Sequence, residues 1–489
     1  MSVCSNCGFD ESWATQTLSH VDLRKRLSEL DAIISSLTLQ RRALQTVSDA
    51  IIYPVLSLPP EIISEIFLRC LPSASYAESS PEDAPLLLTQ ICRQWRQVAL
   101  QTPGLWTSLR FVDGQKSVEL VSLWFSRSGD LPLDLNLNCS DELRAGALVQ
   151  ASMSVACRWR DVEFSLPLTS VAQLDLRAYS LPNLRTFTLD DLSSGLGRID
   201  ISATVTLPPA PSLRSVHLLT LPNVKADVPW AQLTTLNLYR IALRGGLSIL
   251  ANCTNLVDLK ITTSGEPSPP STIDLLTLNS LTSLTCDFET SILEHLTLPH
   301  LLHLRVSTTL GPPTVTIFKN FFLRSCSLRS FALSPIFDTR QDTLLECLRA
   351  VPDSVTELEL TCPSNEGEIV TGVFSVLNPD LALPRLKAIH LRASGHISDE
   401  EYQSIADVVH ARRNCSPVTL ELFTCKFHTS WSRPWDKPRL SRLAQLKELA
   451  APTLTRGPMS LTFTTVTRLR TKTDHVSLNG TSNPIVQSN

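Results

Sequence analysis

The feature that most constrains the fold is a six-residue pattern, Leu-x-x-Leu-x-Leu, which recurs through the long C-terminal part of the 489-residue chain. Other aliphatic or aromatic residues replace single leucines in it. Successive copies start about 20 to 31 residues apart, close to the period of repeat proteins that use one strand per unit. The copies start at Leu184, Leu213, Leu233, Leu256, Leu281, Leu301, Leu328, Val355 and Leu386, with a looser copy at Trp159.

The second and third apolar positions of each copy are two residues apart, so both side chains lie on one face of a short strand. Such strands bury that face by stacking on the next copy, which predicts one continuous parallel sheet. The sequence therefore predicts an irregular leucine-rich-repeat solenoid over residues 112–470, with helices or loops on its convex side. The alternative is a generic leucine-rich α/β domain in which short matches to the pattern arise by chance.

Four connections between the copies carry helical patterns. Helices are expected over residues 142–157, 314–325, 342–350 and 398–413. Ser398 and Glu401 have the spacing of a capping box, which favours a helix start there. The other connections contain Pro and Ser and are expected to be irregular.

Charge, hydropathy and cysteine usage exclude several classes of protein. The formal charge is −4, so we expect no general attraction to nucleic acid or to a membrane surface. No apolar run reaches the ~18 to 20 residues of a membrane span, and the first residues lack the pattern of a secretory signal. The 13 cysteines are scattered, so we expect reduced, buried thiols in a cytoplasmic or nuclear protein.

The chain carries no local signature of catalysis or of metal binding. It contains no nucleotide-binding glycine loop, no nucleophile elbow and no zinc-protease motif. Cys4, Cys7 and His20 match three ligands of a zinc finger, but Arg24 to Arg26 occupy the place of the fourth. We therefore expect no enzyme activity, no cofactor and no metal site.

Residues 18–52 have the apolar spacing of a coiled-coil helix, with gaps that alternate between four and three. Arg41 and Ser48 interrupt this seam. The helix either joins two copies of the chain or packs on the chain's own next domain. The polar ends of the chain, 1–17 and 471–489, are expected to be disordered. The seam positions are Leu23, Leu27, Leu30, Ile34, Leu37, Leu44 and Ile51.

The sequence of residues 53–111 predicts a small unit that contains three helical elements. Pro60 suits the first position of a helix and Glu61 suits its first turn. The polar segment 72–85 is expected to be a mobile loop inserted after this helix, and Leu105 and Trp106 begin a short third element. The apolar stripe of the first helix is Ile62, Ile63, Ile66, Phe67 and Cys70, and one face of the second helix carries Leu88, Cys92, Trp95 and Ala99.

Three motifs in this unit resemble an F-box when they are taken in order. They are Leu58-Pro59-Pro60-Glu61-Ile62-Ile63 with Ile66-Phe67, then Ile91-Cys92-Arg93-Gln94-Trp95, and then Pro103-Gly104-Leu105-Trp106. With its heptad helix and Ser/Pro-rich insertion, the chain is similar to the F-box-like proteins with leucine-rich repeats that are abundant in mushroom-forming fungi. The resemblance implies an α/β chain with an N-terminal helix and a small three-helix F-box, followed by the irregular solenoid.

The resemblance implies that the chain links a substrate to a ubiquitin ligase. An F-box docks its apolar helices on the Skp-type adaptor of a cullin-RING ubiquitin ligase, and the remaining domain holds a protein substrate. Trp95 and Trp106 have an alternative role, which is to knit the three helices together. The loop 72–85 can bulge away from the docking interface or obstruct it. Carried over by position, the docking residues are Leu58, Pro59, Ile62, Ile66, Leu88, Cys92 and Trp95.

Two functions follow as hypotheses. The first is the substrate-receptor subunit of an SCF-type ubiquitin ligase. The second is a leucine-rich-repeat scaffold that binds proteins without catalysis and without a role in ubiquitin transfer. The positions of the repeat strands that face solvent would line one surface, but their mixed chemistry identifies no substrate. They are Thr188, His217, Asn237, Lys260, Thr285, Arg305, Ala332, Glu359 and His390.

Overall fold

The protein is a mixed α/β chain with a long N-terminal helix and a large, mainly parallel sheet. The computed structural model describes residues 19–50, 57–72, 76–113, 118–174, 176–192, 204–219, 225–264, 275–336, 341–362, 372–373, 376–377, 383–394, 399–414, 419–429, 460–467 and 473–478. The expected disordered segment 1–17 lies outside these residues, as do the expected cap Ser398 and the two cysteines Cys4 and Cys7.

The described helices are α1 (His20–Ala50), α2 (Pro60–Arg69), α3 (Leu88–Ile91), α4 (Arg93–Leu100), α5 (Val118–Arg127), α6 (Glu142–Met153), α7 (Leu168–Val171), α8 (Leu243–Leu250), α9 (Pro312–Arg324), α10 (Gln341–Arg349) and α11 (Asp399–Asn414). Helices α1 to α4 precede the sheet along the chain, and the later helices lie between its strands. A 3-10 turn, Pro103–Trp106, is the short third element of the helical unit.

Most of the described strands form one open sheet, in which they lie side by side in their order along the chain. The described strands are β1 (Ser108–Val112), β2 (Leu133–Asn138), β3 (Trp159–Leu166), β4 (Thr186–Asp191), β5 (Thr204–Thr206), β6 (Ser215–Leu219), β7 (Lys225–Asp227), β8 (Thr235–Ala242), β9 (Asp258–Ser264), β10 (Leu276–Thr277), β11 (Ser283–Phe288), β12 (Leu296–Thr297), β13 (His303–Thr308), β14 (Ser330–Pro335), β15 (Glu357–Cys362), β16 (Ala388–Ser394), β17 (Leu422–Thr429), β18 (Ser460–Thr467) and β19 (Thr473–Leu478). Two short pairs, β5 with β7 and β10 with β12, lie outside this sheet.

Every copy of the sequence pattern coincides with a strand, which confirms the predicted parallel strands. The second and third apolar positions lie within β3, β4, β6, β8, β9, β11, β13, β14, β15 and β16. Equivalent positions pair directly across the sheet, as Leu236 does with Leu259 and Leu259 with Leu284. The first position of each of the nine closer copies, just ahead of its strand, is buried as well. The three apolar positions therefore build one continuous core.

Helices pack on the apolar face of the sheet, as the connection patterns predict. Helices α6, α9, α10 and α11 lie where they are expected, with ends that differ by a few residues. The rings of Phe318 and Phe322 on α9 lie 6.1 and 5.7 Å from the ring of Phe331 on β14. Aromatic packing of this kind closes the core between a helix and the strand that follows it.

The inserted segment, expected to be a mobile loop, packs against the sheet in its described part. Within the described residues 76–85 of the predicted loop 72–85, the segment runs alongside β1. The backbone N–H of Arg110 donates to the carbonyl oxygen of Ala77 at 2.8 Å, and Glu78 forms a parallel bridge with Arg110. Ala77 and Ser79 are buried. The first strand of an open sheet has unpaired backbone groups, and this segment satisfies some of them.

The predicted boundaries shift at both ends of the sheet. The sheet begins at Ser108, inside the segment 53–111 that was expected to form the F-box-like unit and ahead of the predicted solenoid start at residue 112. At the other end, residues 473–478 of the expected disordered tail form β19, which pairs antiparallel with β18. Pairing satisfies the backbone groups of an edge strand whatever the side chains are, so a polar composition did not indicate it.

We expect Phe331→Ala to lower the free energy of unfolding by about 3–5 kcal/mol, because it removes a fully buried ring from a packed core. The measurement is urea denaturation followed by circular dichroism. Ser330→Ala, one residue earlier on the same strand, is the matched control and should change stability by less than about 0.5 kcal/mol. Equal losses for the two variants would contradict the core position of Phe331.

We also expect the stability of the protein to fall between about pH 10 and pH 12 through Tyr76, which begins the packed part of the insertion. Burial, together with the negative charges of Glu163, Asp161 and Asp134, raises the pKa of Tyr76 from 10.0 to about 12. In that window the unfolded chain releases the phenolic proton and the folded chain keeps it. The folded state therefore loses stability as pH rises.

Tyr76→Phe should lose less stability than the wild type across this window, measured by urea denaturation at pH 9.5 and 11.5. Absorbance of tyrosinate at 295 nm gives a second readout, since the wild type should show one late-titrating tyrosine that the variant lacks. Identical pH dependence in the two proteins would show that Tyr76 is not buried beside these carboxylates.

Candidate functional site

Helix α2 is amphipathic in an unusual way, because apolar side chains lie on both its buried and its outer side. Ile63 and Phe67 are buried in the unit, where α2 contacts α4 and the 3-10 turn. Pro60 begins the helix and Glu61 lies in its first turn, as the sequence predicts. The inward pair therefore anchors α2 to the rest of the helical unit.

The outer side of α2 carries Ile62 and Ile66, whose exposed fractions are 49% and 40%. Residues four apart on a helix are neighbours on its surface, so the two isoleucines form a short apolar ridge. An exposed ion pair between Glu65 and Arg69, at 3.4 Å, lies next to it on the same helix. Apolar area rimmed by charged groups is typical of a docking surface.

The second predicted helix is broken at Cys92. Its backbone is extended (φ −154°, ψ 169°), so α3 ends at Ile91 and α4 starts at Arg93. The Cys92 thiol accepts a hydrogen bond from the backbone N–H of Trp95 at 3.4 Å and caps α4. One shared face for Leu88, Cys92, Trp95 and Ala99 therefore does not exist.

The break corrects the list of docking residues. Leu88 is buried in the core, so it has no surface to offer a partner. Leu87 and Ile91, its neighbours in sequence, are exposed instead. Sequence reasoning missed them because it assumed a continuous helix through Cys92. The sequence offers no local signal for the break, because neither Pro nor Gly lies at or beside Cys92.

The two tryptophans act mainly within the unit. The Trp95 ring lies 4.9 Å from the Phe67 ring, and its buried indole N–H has no hydrogen-bond partner among the described residues. Trp106 is fully buried and donates its indole N–H to the carbonyl oxygen of Ala99 at 2.9 Å. Its ring meets the edge of Trp124 on α5 at 4.8 Å. The structure thus assigns Trp106 the role of knitting the helices together.

The two remaining predicted docking residues lie at the start of α2. Leu58 is half-buried and packs against the core, whereas Pro59 is exposed at the N-cap position. Of the seven predicted residues, Ile62 and Ile66 therefore offer most of the exposed apolar side chain. Pro59 extends the same surface toward the helix start.

The face of the sheet opposite the core forms a second candidate surface. The predicted outward positions do fall in one row, because each pairs with the next across the strands. Ala332 differs from the others in being buried. It lies between Arg305 and Glu359, whose side chains form an ion pair at 2.8 Å across β14 and cover it.

Charges on this face are paired with one another across strands. Glu359 also accepts a hydrogen bond from Arg392 at 2.9 Å, so it bridges two arginines. Near the first strands, Arg160 pairs with Asp134 and the amide of Asn136 donates to Glu163 at 2.7 Å. The face therefore offers directional polar groups rather than an apolar groove.

An acid, an imidazole and a hydroxyl stand in a row on this face. His390 Nε2 lies 3.3 Å from Glu357, and its Nδ1 lies 2.7 Å from the Thr424 hydroxyl. Acyl transfer also needs backbone or side-chain donors aimed at an oxyanion. The strands that carry these three residues are paired on both sides, so their backbone N–H groups already have partners. The row therefore gives no support to a hydrolase.

One histidine of the outward row, His217, is partly buried. Burial lowers the pKa of His217, although the nearby Asp258 opposes this effect. The Ser215 hydroxyl lies 2.9 Å from His217 Nε2. His217 is therefore a neutral hydrogen-bonding group at pH 7 and contributes no positive charge to the face.

The thiols that the structure describes are free, but the expectation that they are buried holds for half of them. Burial raises the pKa of Cys139 to about 11 and of Cys253 and Cys347 to about 12, and it raises the pKa of Cys286 as well. Cys70, Cys157 and Cys326 are exposed. The buried thiols act as small apolar side chains with low reactivity.

Neither a metal centre nor a membrane helix is found in the described part of the chain. No three His, Cys, Asp or Glu side chains there come close enough together to hold an ion. None of the described helices combines the length and the apolar character that crossing a bilayer requires.

No protein-family model and no curated protein matches this sequence. The two candidate surfaces, the α2 ridge and the outward face of the sheet, are therefore interpreted from their own chemistry.

We expect Glu359→Gln to lower the free energy of unfolding by about 1 kcal/mol, because one carboxylate holds both Arg305 and Arg392. Urea denaturation in low salt measures this, and the difference from wild type should shrink in 0.5 M NaCl, where charges are screened. The control is Glu357→Gln, which leaves both arginines paired. A loss for Glu357→Gln as large as for Glu359→Gln would argue against the two-arginine bridge.

Proposed function

We propose that this chain is an F-box substrate receptor, in which the helical unit binds a Skp-type adaptor and the outward face of the sheet binds a protein substrate. The observation that carries the proposal is the α2 ridge. Ile62 and Ile66 are exposed on one side of a helix that buries Ile63 and Phe67 in the unit on its other side. Contiguous apolar area that is rimmed by charged groups is typical of a surface that binds a partner.

The energetics favour docking at this ridge. Covering the exposed half of two isoleucines contributes about 2–3 kcal/mol in total. Leu87 and Ile91, which are exposed near the break between α3 and α4, supply further apolar area in place of Leu88. A few well-buried side chains carry most of the affinity at protein interfaces, so a ridge of this size is an adequate anchor.

The contacts of the described part of the insertion, residues 76–85, favour docking over obstruction. Residues 76–80 bind to β1 through backbone and side-chain hydrogen bonds rather than to the outer side of α2. The Gln90 amide also donates to the carbonyl oxygen of Pro81 at 3.2 Å, which ties the insertion to α3. Both contacts hold the segment against its own chain.

The repeat pattern supports the second half of the proposal. A row of parallel strands, each stacked on the next copy, is the arrangement that a leucine-rich-repeat solenoid requires. Its outward face presents paired charges and hydroxyls, chemistry suited to recognising a folded or extended protein. In this proposal the chain performs no catalysis and needs no cofactor, because it only positions a substrate for a separate ligase.

The alternative is a protein-binding scaffold without a ubiquitin role. The long helix α1 favours the scaffold function, because its exposed apolar stripe can bind a partner without the helical unit. The adaptor distinguishes the two functions, because only the substrate receptor has to bind it through α2.

We expect the full chain to bind a purified Skp-type adaptor, and Ile62→Asp with Ile66→Asp to weaken that binding at least 100-fold, measured by isothermal titration calorimetry. Two charges in the ridge would have to be desolvated at the interface. Leu123→Asp on α5 is the matched control, because Leu123 is 50% exposed and lies outside the ridge.

Ile91→Asp should also weaken binding while the protein stays folded, which tests the corrected docking surface. The melting temperature of each variant confirms folding. If the wild type does not bind the adaptor, or if the double variant binds equally well, the substrate-receptor function is wrong and the scaffold remains.

A further inference from the structure

We propose that α1 joins two copies of this chain as a parallel, two-stranded coiled coil. Every described side chain on α1, from His20 to Ser48, is exposed. A helix of 31 residues is about 46 Å long. Helices in water gain most of their stability from packing an apolar face, and α1 leaves its own unpacked in a single chain.

Most of the large apolar side chains of α1 fit one heptad register, and Val21 and Leu39 lie outside it. In this register Leu23, Leu30, Leu37 and Leu44 are the d positions, and Leu27 and Ile34 are a positions. Ile33 and Val47 widen the stripe at the g positions. Ile34 at a with Leu37 at d is the combination that favours two parallel strands.

The start of the helix is fixed at the place where the seam begins. The backbone N–H of Asp22 donates to the Ser19 hydroxyl at 3.3 Å, and that hydroxyl donates to the Asp22 carboxylate at 2.7 Å. A polar cap of this kind stabilises the first turn. The first seam residue, Leu23, follows it directly.

Charges beside the seam identify a second copy in parallel as the partner. In a parallel pair, a g residue faces the e residue five positions later on the other helix. Arg26 is at g and Asp31 is at e, so opposite charges meet twice, once on each side of the seam. In a single chain Arg26 pairs with Glu29 at 3.0 Å, but that contact is exposed and contributes little.

An antiparallel pair fits these charges less well. In an antiparallel pair, the e positions of one helix face the e positions of the other. Arg24 and Asp31 are both e residues, and they meet only if the helices overlap at their N-terminal halves. That stagger leaves Leu37 and Leu44 without cover. The parallel, in-register arrangement covers all four d leucines and satisfies both charges.

Arg41 and Ser48 occupy a positions and set the oligomeric state. A polar residue at a weakens a coiled coil but restricts it to a defined number of strands. With two strands, the Arg41 side chain can reach water past the edge of the seam. A third strand would enclose it. The expected assembly is therefore a reversible dimer rather than a larger bundle.

Dimerisation does not depend on the proposed adaptor role. It would place two helical units and two outward sheet faces in one particle, and a substrate with two recognition segments could then bind both faces at once. The tests below measure the assembly of the purified chain alone, so their failure and the failure of adaptor binding are separate results.

The oligomeric state of the full chain is measured by size-exclusion chromatography with light scattering and by analytical ultracentrifugation. We expect a mass twice the 54.0 kDa of one chain at micromolar concentration. Leu37→Asp, at a d position, should raise the dissociation constant at least 100-fold. Leu39→Asp is the matched control, because Leu39 is 66% exposed against 58% for Leu37 but lies on the opposite side of the helix.

Two further variants test the orientation. Leu23→Cys should form a disulfide-linked dimer under mild oxidation, beyond the wild-type background, whereas Leu39→Cys should not. Arg26→Asp should weaken the dimer about tenfold, and Arg26→Asp with Asp31→Arg should restore it. A monomeric wild type overturns the proposal, and so do a dimer that Leu37→Asp leaves unchanged and a charge exchange that fails to restore binding.

Discussion

The structure depends on the burial of equivalent apolar side chains that meet across parallel strands. Leu236, Leu259 and Leu284 illustrate it, since each pairs with the next and none would be buried without both neighbours. A single unit of about 25 residues cannot bury its own strand, so stability arises from the stack. A stack has two ends, and each end exposes backbone groups that need a partner. The segment 76–80 supplies those partners at β1, and β19 does so at β18.

Closing the first edge with the insertion also fixes the helical unit to the sheet. Ala77 binds the backbone of β1, and Trp106 joins α4 to α5 through its hydrogen bond to Ala99 and its contact with Trp124. The inward side of α2 packs on the same core, because Phe67 contacts the ring of Trp95 on α4. Ile62 and Ile66 therefore sit on a unit that is held in place with respect to the strands. In the proposed receptor, an adaptor and a substrate would be kept at a set separation for that reason.

The repeat strands could be predicted from sequence because their signal is local, with two buried positions two residues apart. The helices of the long connections were predictable for the same reason.

The features that were missed depend on distant contacts or on the backbone. Nothing in the side chains of Tyr76 to Ser80 indicates pairing with Arg110, about 30 residues away. The spacing of Leu88, Cys92, Trp95 and Ala99 is helical, yet the Cys92 backbone is extended without a Pro or Gly to mark the break. The bridge from Arg305 to Glu359 spans two repeats, and only the register reveals that Ala332 lies beneath it.

The apolar and polar surfaces of this chain imply different kinds of recognition. The exposed apolar side chains of α1 and α2 have no partners in the chain that they must give up, so covering them yields affinity directly. On the sheet face, Arg305, Arg392 and Glu359 already satisfy one another, and a ligand must replace these contacts with equally good ones. Such an exchange adds little net affinity but penalises any ligand whose charges are misplaced. In the proposed receptor, stable assembly would therefore depend on the N-terminal helices, and selectivity would depend on the sheet. A weak but selective face becomes effective when two copies act together, which is the physical reason that a dimer through α1 suits this fold.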